Sequence, residues 1–274
     1  MASTAEHAVG RPAESRGTPG WLVVLEQELR DLWIGGRGLV LCFAFSLLVS
    51  VIAYLTATNT ALNFLEQRES VNLTLQVAIA VGALLALLAA ADTVSGERER
   101  RTLETLLLAP VARSQLTGGK LLAPLSLWLA AFAITIPYVW FLGRGVGVVG
   151  DALVTGIVVG TLLAVFLAAL GFVISLFAGS NRVSLSLSLF LLLAFFAPTL
   201  LPSSAQKGWA GDLLLRVNPI TAGERYVGKI VVNGHGWTED VSWLVSPIVA
   251  AVVVPLVALA LGTRFIRLGG GGSE

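Results

Sequence analysis

The chain has 274 residues, a mean hydropathy of +0.83, 55% hydrophobic residues and only 13% charged ones. A water-soluble domain carries roughly 25% charged residues, so the deficit points to a lipid bilayer as solvent. A net charge of +1 gives no basis for a nucleic-acid partner, and the single cysteine, Cys42, excludes a disulfide framework.

Residues 1–19 are small, polar and interrupted by Pro and Gly. They lack the apolar run of a signal peptide and read as a disordered cytoplasmic tail. WLVVLEQELRDLW (Trp21 to Trp33) follows, with Leu22, Leu25, Leu29, Leu32 and Trp33 on one helical face. Glu26, Glu28, Arg30 and Asp31 lie mostly elsewhere, which predicts an amphipathic helix in the inner headgroup layer. A simple elbow and a part in coupling stay equally open for it.

A helix needs roughly 20 apolar residues to cross the hydrocarbon core. Six stretches meet this, at about 38–56, 71–93, 120–142, 152–178, 184–201 and 243–265. SLSLSLF (Ser184 to Phe190) alternates like a strand, but a lone strand in lipid leaves its backbone unpaired, so a helix is expected. With the N-terminus inside, twelve of the eighteen lysines and arginines fall in inner segments, which predicts that both termini are cytoplasmic. Most tryptophans fall at span ends as interfacial anchors; Trp128, inside the third span, does not.

The apolar cores contain no Asp, Glu, Lys, Arg or His; Asp92, Lys120 and Arg264 stand at the cytoplasmic ends of their spans. Carriers that relay protons keep ionisable groups at depth, so that class is disfavoured, while backbone-coordinated Na⁺ stays open. His7 and His235, in the tail and an outer loop, cannot form a buried Ser/His pair or an HExxH metal site. GVGVVG (Gly145 to Gly150) and GERYVGK (Gly223 to Lys229) echo nucleotide loops without the strand-turn-helix context, and Ile230 stands where Ser or Thr would hold Mg²⁺. GIVVG (Gly156 to Gly160) in the fourth span allows close helix contact, within the chain more readily than between chains.

Between the second and third spans lies ADTVSGERERRTLETLLLAPVARSQLTGGK (Ala91 to Lys120). No residue from Glu97 to Leu108 breaks a helix; Glu97–Arg101 and Arg100–Glu104 are spaced as i,i+4 ion pairs, and Leu103, Leu106 and Leu107 form an apolar ridge. Pro110 stops the helix, and Gly118-Gly119 reads as a flexible joint. The segment is longer than an ordinary helix connection, which favours a docking helix over a solvated loop. Between the fifth and sixth spans, Pro202 to Ser242 is too long for a structureless loop. Short helices around Asn218-Pro219, dipping into the outer leaflet, or a small extracellular cap would account for it.

The run Ser95-Gly96-Glu97-Arg98-Glu99-Arg100, Thr102-Leu103-Glu104, Leu106-Leu107, Pro110-Val111, Arg113 and then Gly119-Lys120-Leu121 resembles the ABC-2 type permease family of ABC exporters. The resemblance implies an all-α membrane protein: six transmembrane helices over residues 20–268, with an N-terminal interfacial helix. It also implies a cytoplasmic coupling helix seated on a separate ATPase, through Glu97, Arg98, Arg100, Arg101, Leu103, Glu104, Leu107 and Arg113. Arg101 departs from the family pattern, where glycine is common. Asn218, Pro219 and Tyr226 would belong to a re-entrant outer region. The chain itself would hold no cofactor and catalyse nothing, ATP and Mg²⁺ being bound by two partner ATPase subunits. A second permease copy or a paralogue would complete an exporter in the cytoplasmic (inner) membrane, and the uncharged interior suits an amphiphilic solute. A membrane scaffold recruiting a soluble partner, and an ion-coupled carrier, are the competing readings. The terminal GGGGSE, residues 269–274, reads as an appended flexible linker.

Overall fold

A computed structural model describes residues 19–58, 64–100, 112–200 and 208–265. Eleven α-helices and no strand occur among them: α1 (Gly20–Trp33), α2 (Arg37–Ala57), α3 (Phe64–Asp92), α4 (Ser95–Arg100), α5 (Arg113–Leu122), α6 (Leu125–Gly143), α7 (Val149–Phe177), α8 (Asn181–Phe196), α9 (Trp209–Val217), α10 (Pro219–Val231) and α11 (Val245–Phe265). Six stretches are long and apolar enough to cross a membrane: Arg37–Ala57, Gln67–Arg100, Arg113–Gly143, Val149–Phe177, Asn181–Thr199 and Val241–Arg264. They overlay the six apolar runs of the sequence, and Ser184 to Phe190 is helical as expected.

The second and fourth spans form the central pair, and the others pack around it. Closeness at this centre depends on absent side chains. A methyl group on Gly160 of α7 would lie 2.1 Å from Trp128 Cη2, and one on Gly82 of α3 would lie 2.8 Å from Trp128 Cε3. The two glycines thus make a slot for the indole, which is 1% exposed and donates its Nε1–H to Thr161 Oγ1 at 3.1 Å. Trp128 is therefore a core residue with a satisfied polar atom, which is why it departs from the interfacial pattern. Within the chain, GIVVG serves internal packing, since Gly156 likewise receives Leu75.

The connections define two ends. At the proximal end, α1, the α3–α4 junction, α5 and the α7–α8 connection meet through Glu28, Asp92, Glu97, Lys120 and Asn181. At the distal end, α9 and α10 sit between the fifth and sixth spans, and Arg68, Asp151 and Phe195 meet residues of the 218–240 stretch.

One local expectation is overturned. Gly118-Gly119 is no joint but lies inside α5. Gly119 is buried because α1 crosses there: an added methyl would lie 2.7 Å from Val24 Cγ1 and 3.1 Å from the Leu25 backbone nitrogen. The missing side chain admits a neighbouring helix, and that packing outweighs the cost of glycine in a helix, about 1 kcal/mol.

Candidate functional site

The helix is interrupted at the proximal end. Helix α3 ends at Asp92, and α4 begins at Ser95 after a two-residue turn. The first backbone N–H groups of a helix have no partner of their own. Here a neighbouring helix supplies one: Ser175 Oγ of α7 accepts from the backbone N–H of Val94 (3.1 Å) and Ser95 (2.8 Å). Ser95 Oγ donates to Ala91 O and Asn181 Oδ1, and Ser184 Oγ of α8 also donates to Ala91 O at 2.7 Å. Gly96 leaves room for the Asp92 carboxylate, which an added methyl would meet at 2.3 Å.

The charged residues of α4 are tied to neighbouring helices, Glu97 from a partly buried position and Arg98, Glu99 and Arg100 from exposed ones. Arg98 donates to the carbonyls of Ala178 (2.7 Å) and Leu176 (3.1 Å), which the end of α7 leaves open. Glu99 accepts from the Asn181 backbone N–H at the start of α8, where the helix dipole favours an anion. Asp92 receives Arg37 Nη1 at 2.5 Å, Asn181 Nδ2 at 2.7 Å and Arg100 Nη2 at 3.4 Å.

Lys120 is the centre of this end. Its side chain is 0% exposed, yet its ammonium meets Glu28 Oε1 of α1 at 2.5 Å and Glu97 Oε1 of α4 at 2.6 Å. Thr93 O stands at 3.4 Å. One buried cation thus ties together two helices, consecutive among the described residues, and a third that lies 92 positions away in sequence. A buried charge is tolerable only when so partnered.

Among the residues expected to contact an ATPase, Glu97, Arg98 and Arg100 share α4, and Arg113 is exposed in the first turn of α5. Arg101, Leu103, Glu104 and Leu107 lie outside the described residues, as do the pairing of Arg100 with Glu104 and that of Glu97 with Arg101. Partners beyond the i,i+4 spacing engage both Glu97 and Arg100, namely Lys120, 23 positions away, and Asp92, eight positions away. Local spacing gave no sign of Glu28, Ser175 or Asn181; the only hint was a lone lysine at the mouth of an apolar run.

At the distal end, Asn218 caps α10: its Oδ1 accepts from the backbone N–H of Ile220 (2.9 Å) and Thr221 (3.3 Å), and its Nδ2 donates to Phe195 O (2.7 Å). Pro219 then occupies the first helical position, where its missing N–H costs nothing. Tyr226 is buried and donates its hydroxyl to Trp237 O at 2.8 Å. Burial, helped by the nearby Asp240 charge, pushes its phenol up. Hydrogen bonds from Lys229 and His235 hold the Asp240 carboxyl below its usual range. Arg216, Arg225 and Lys229 all stand over the Trp243 ring, 4.7–5.6 Å from its centroid. GERYVGK lies wholly within α10, so its glycines form no phosphate-cradling loop.

The residue that sequence reading missed here is Glu224. Its carboxyl makes no hydrogen bond among the described residues, and burial pushes it up to about 7. It lines a cavity of about 400 Å³ with Gln76, Thr221, Arg225 and Lys229.

Six apolar spans, two of them a central pair with the others packed around it, clamped at one end by a desolvated charge network, define a multi-pass integral membrane protein of the helical-bundle class. Residues 22–267 match the family model described as ABC-2 family transporter protein, and the chain belongs to that family. Membership makes it a membrane component of an ABC transporter and implies an ABC ATPase partner. No curated protein matches the chain.

Proposed function

We propose that the chain is the non-catalytic permease subunit of an ATP-driven exporter in the cytoplasmic membrane, with its proximal end and both termini in the cytoplasm. On this reading α4 opens the coupling helix, which continues through residues 101–108 and seats on the ATPase that binds ATP and Mg²⁺. Glu97, Arg98 and Arg100 hold its root to the bundle, while Arg101, Leu103, Glu104, Leu107 and Arg113 present the contact. Two ATPases and two permeases, identical or paralogous, make the working assembly, and an amphiphilic solute leaves between the permeases.

One observation carries the reading. The start of the charged segment is fastened to the third span through Glu97–Lys120, to the fourth through Arg98, and to the fifth through Glu99. A push on α4 therefore reaches several spans at once, as a transmission element requires. Residues 1–19 would be a cytoplasmic tail, residues 20–268 the permease domain, and 269–274 a linker. Helix α1 would lie at the inner interface, joined to the same network through Glu28. Helices α9 and α10 would form the re-entrant outer region: Gly223 packs on Val159, about ten residues into the fourth span and so about 15 Å along its axis.

Co-reconstitution with the partner ATPase tests this. Glu104→Arg, or deletion of residues 103–107, should abolish solute-stimulated ATPase activity while membrane insertion is unchanged. A scaffold would show no coupled solute movement even in the wild type, and an ion-driven carrier would move solute without nucleotide. In a Cys42→Ser background, Arg113→Cys should react with a membrane-impermeant thiol reagent only from the cytoplasmic side. Labelling from outside alone would overturn the orientation and the coupling role with it.

A further inference from the structure

The distal cavity has a chemistry that the transport reading does not use. About 400 Å³ falls within the size range of small-molecule sites and far exceeds what a bare monovalent ion fills. Two polar side chains facing it, Gln76 and Thr199, have spent their donors elsewhere. Gln76 Nε2 donates to Asn72 Oδ1 and to Glu224 O, both at 3.4 Å, and the Thr199 hydroxyl donates to Phe196 O at 2.7 Å. Gln76 and Thr199 are thus left with acceptor capacity.

Two further acceptors stand beside them. Thr221 is 3% exposed, and its Oγ1 is buried with no partner among the described residues. An unsatisfied buried hydroxyl costs about 1–3 kcal/mol and is a group waiting for a ligand. The Glu224 carboxyl has no hydrogen bond among the described residues either, and burial raises it to about 7. The cations on the wall are engaged by other groups: Lys229 pairs with Asp240, and Arg225 stacks over Trp243. Leu215 and Val232 supply an apolar wall.

We propose that this cavity binds a primary ammonium group carried on a short apolar stem, with its N–H donors on Glu224, Thr221 Oγ1 and Gln76 Oε1. The same chemistry occurs in a free organic amine and in the ethanolamine headgroup of a phospholipid. The site is independent of the direction of transport and of any ATPase, so it can fail while the exporter reading stands.

The test uses the full chain in phosphatidylcholine nanodiscs, titrated calorimetrically with n-butylammonium at pH 8, where Glu224 is ionised in the free site. Saturable binding is expected, weakened at least about tenfold by Glu224→Gln and by Thr221→Val. Thr221→Ser should keep it, and tetramethylammonium, which has no N–H, should bind at least about tenfold more weakly. Unfolding temperatures no lower than wild type show that the variants fold. With phosphatidylethanolamine in the disc, loss of butylammonium binding identifies the headgroup as the occupant, and unchanged binding identifies the free amine. Absence of saturable binding in phosphatidylcholine discs, or equal affinity in wild type and Glu224→Gln, overturns the proposal.

Discussion

Lys120→Met is the most informative single change at the proximal end. It keeps most of the side-chain volume and removes one charge. In the wild type the ammonium lies 2.5 Å from Glu28 and 2.6 Å from Glu97, with the lysine 0% and the carboxylates 19% and 20% exposed. Removing one partner of a buried ion pair costs about 3–5 kcal/mol, because the remaining charge stays desolvated. Here two carboxylates are left facing one another. Their partial exposure lets water screen some of the repulsion, which places the expectation near the lower figure, about 3 kcal/mol.

For a chain of this size that corresponds to roughly 6–12 °C in unfolding temperature, measurable by circular dichroism in nanodiscs. Since Glu28 anchors α1, hydrogen exchange over residues 20–33 should also rise. The triple variant Glu28→Gln, Glu97→Gln, Lys120→Met removes the repulsion and should regain at least half of the loss, as replaced buried ion networks generally do. An unfolding temperature for Lys120→Met within 2 °C of wild type (roughly, on the same scale), with α1 exchange unchanged, would refute the claim that this cation clamps three helices.

Three further outcomes are expected. Gly160→Ala drives a methyl to 2.1 Å from Trp128 Cη2 and should cost about 1–3 kcal/mol, largely recovered by adding Trp128→Phe; thermal unfolding of the single and double variants checks this. Asn218→Ala removes the α10 cap and should cost about 1–2 kcal/mol by the same assay, whereas Asn218→Asp keeps the acceptor and loses only the donor to Phe195 O. Glu224 holds a proton in the folded state that the unfolded chain has already released between its ordinary 4.5 and about 7. Folding stability therefore falls as pH rises through that window, and the penalty is fully present above it. Glu224→Gln should then be more stable than wild type at pH 8, by about 1–2 kcal/mol after solvent screening, and no more stable at pH 4.

The six spans were legible because hydrocarbon thickness imposes a length of apolar residues that no other context demands. Trp128 and GIVVG were each noticed, yet their relation was not: one sits in the third span and the other in the fourth, and only packing brings them together. In the charged segment the partner of Glu97 was hidden: the buried ammonium of Lys120 meets it at 2.6 Å across 23 positions, a contact that no i,i+4 spacing encodes. Gly118-Gly119 signals flexibility locally, and the crossing of Val24 and Leu25 that fixes it is set some ninety positions earlier. Glu224 sat inside a failed phosphate-loop match. Its burial depends on α10 lying against the second and fourth spans, a long-range fact that no local pattern encodes.

The SGERER stretch looks like a solvated loop motif, since four of its six residues are charged and short arginine- and glutamate-rich runs normally face water. Each of the six is nevertheless engaged by the bundle: Ser95 by Asn181, Gly96 as space for Asp92, Glu97 by Lys120, Arg98 by two carbonyls, Glu99 by a helix start, and Arg100 by Asp92. Independent surface pairs would contribute little and would let α4 swing on its two-residue turn. A network that shares Asp92 and Asn181 across four helices instead makes its displacement cooperative, because no single bond can relax without exposing another's partner. If α4 roots a coupling helix, as proposed, this is why its charges, exposed as most of them are, are each tied to a neighbouring helix. Contact with an ATPase requires only the far part of the segment, while rigid transmission requires that the near part have no freedom of its own.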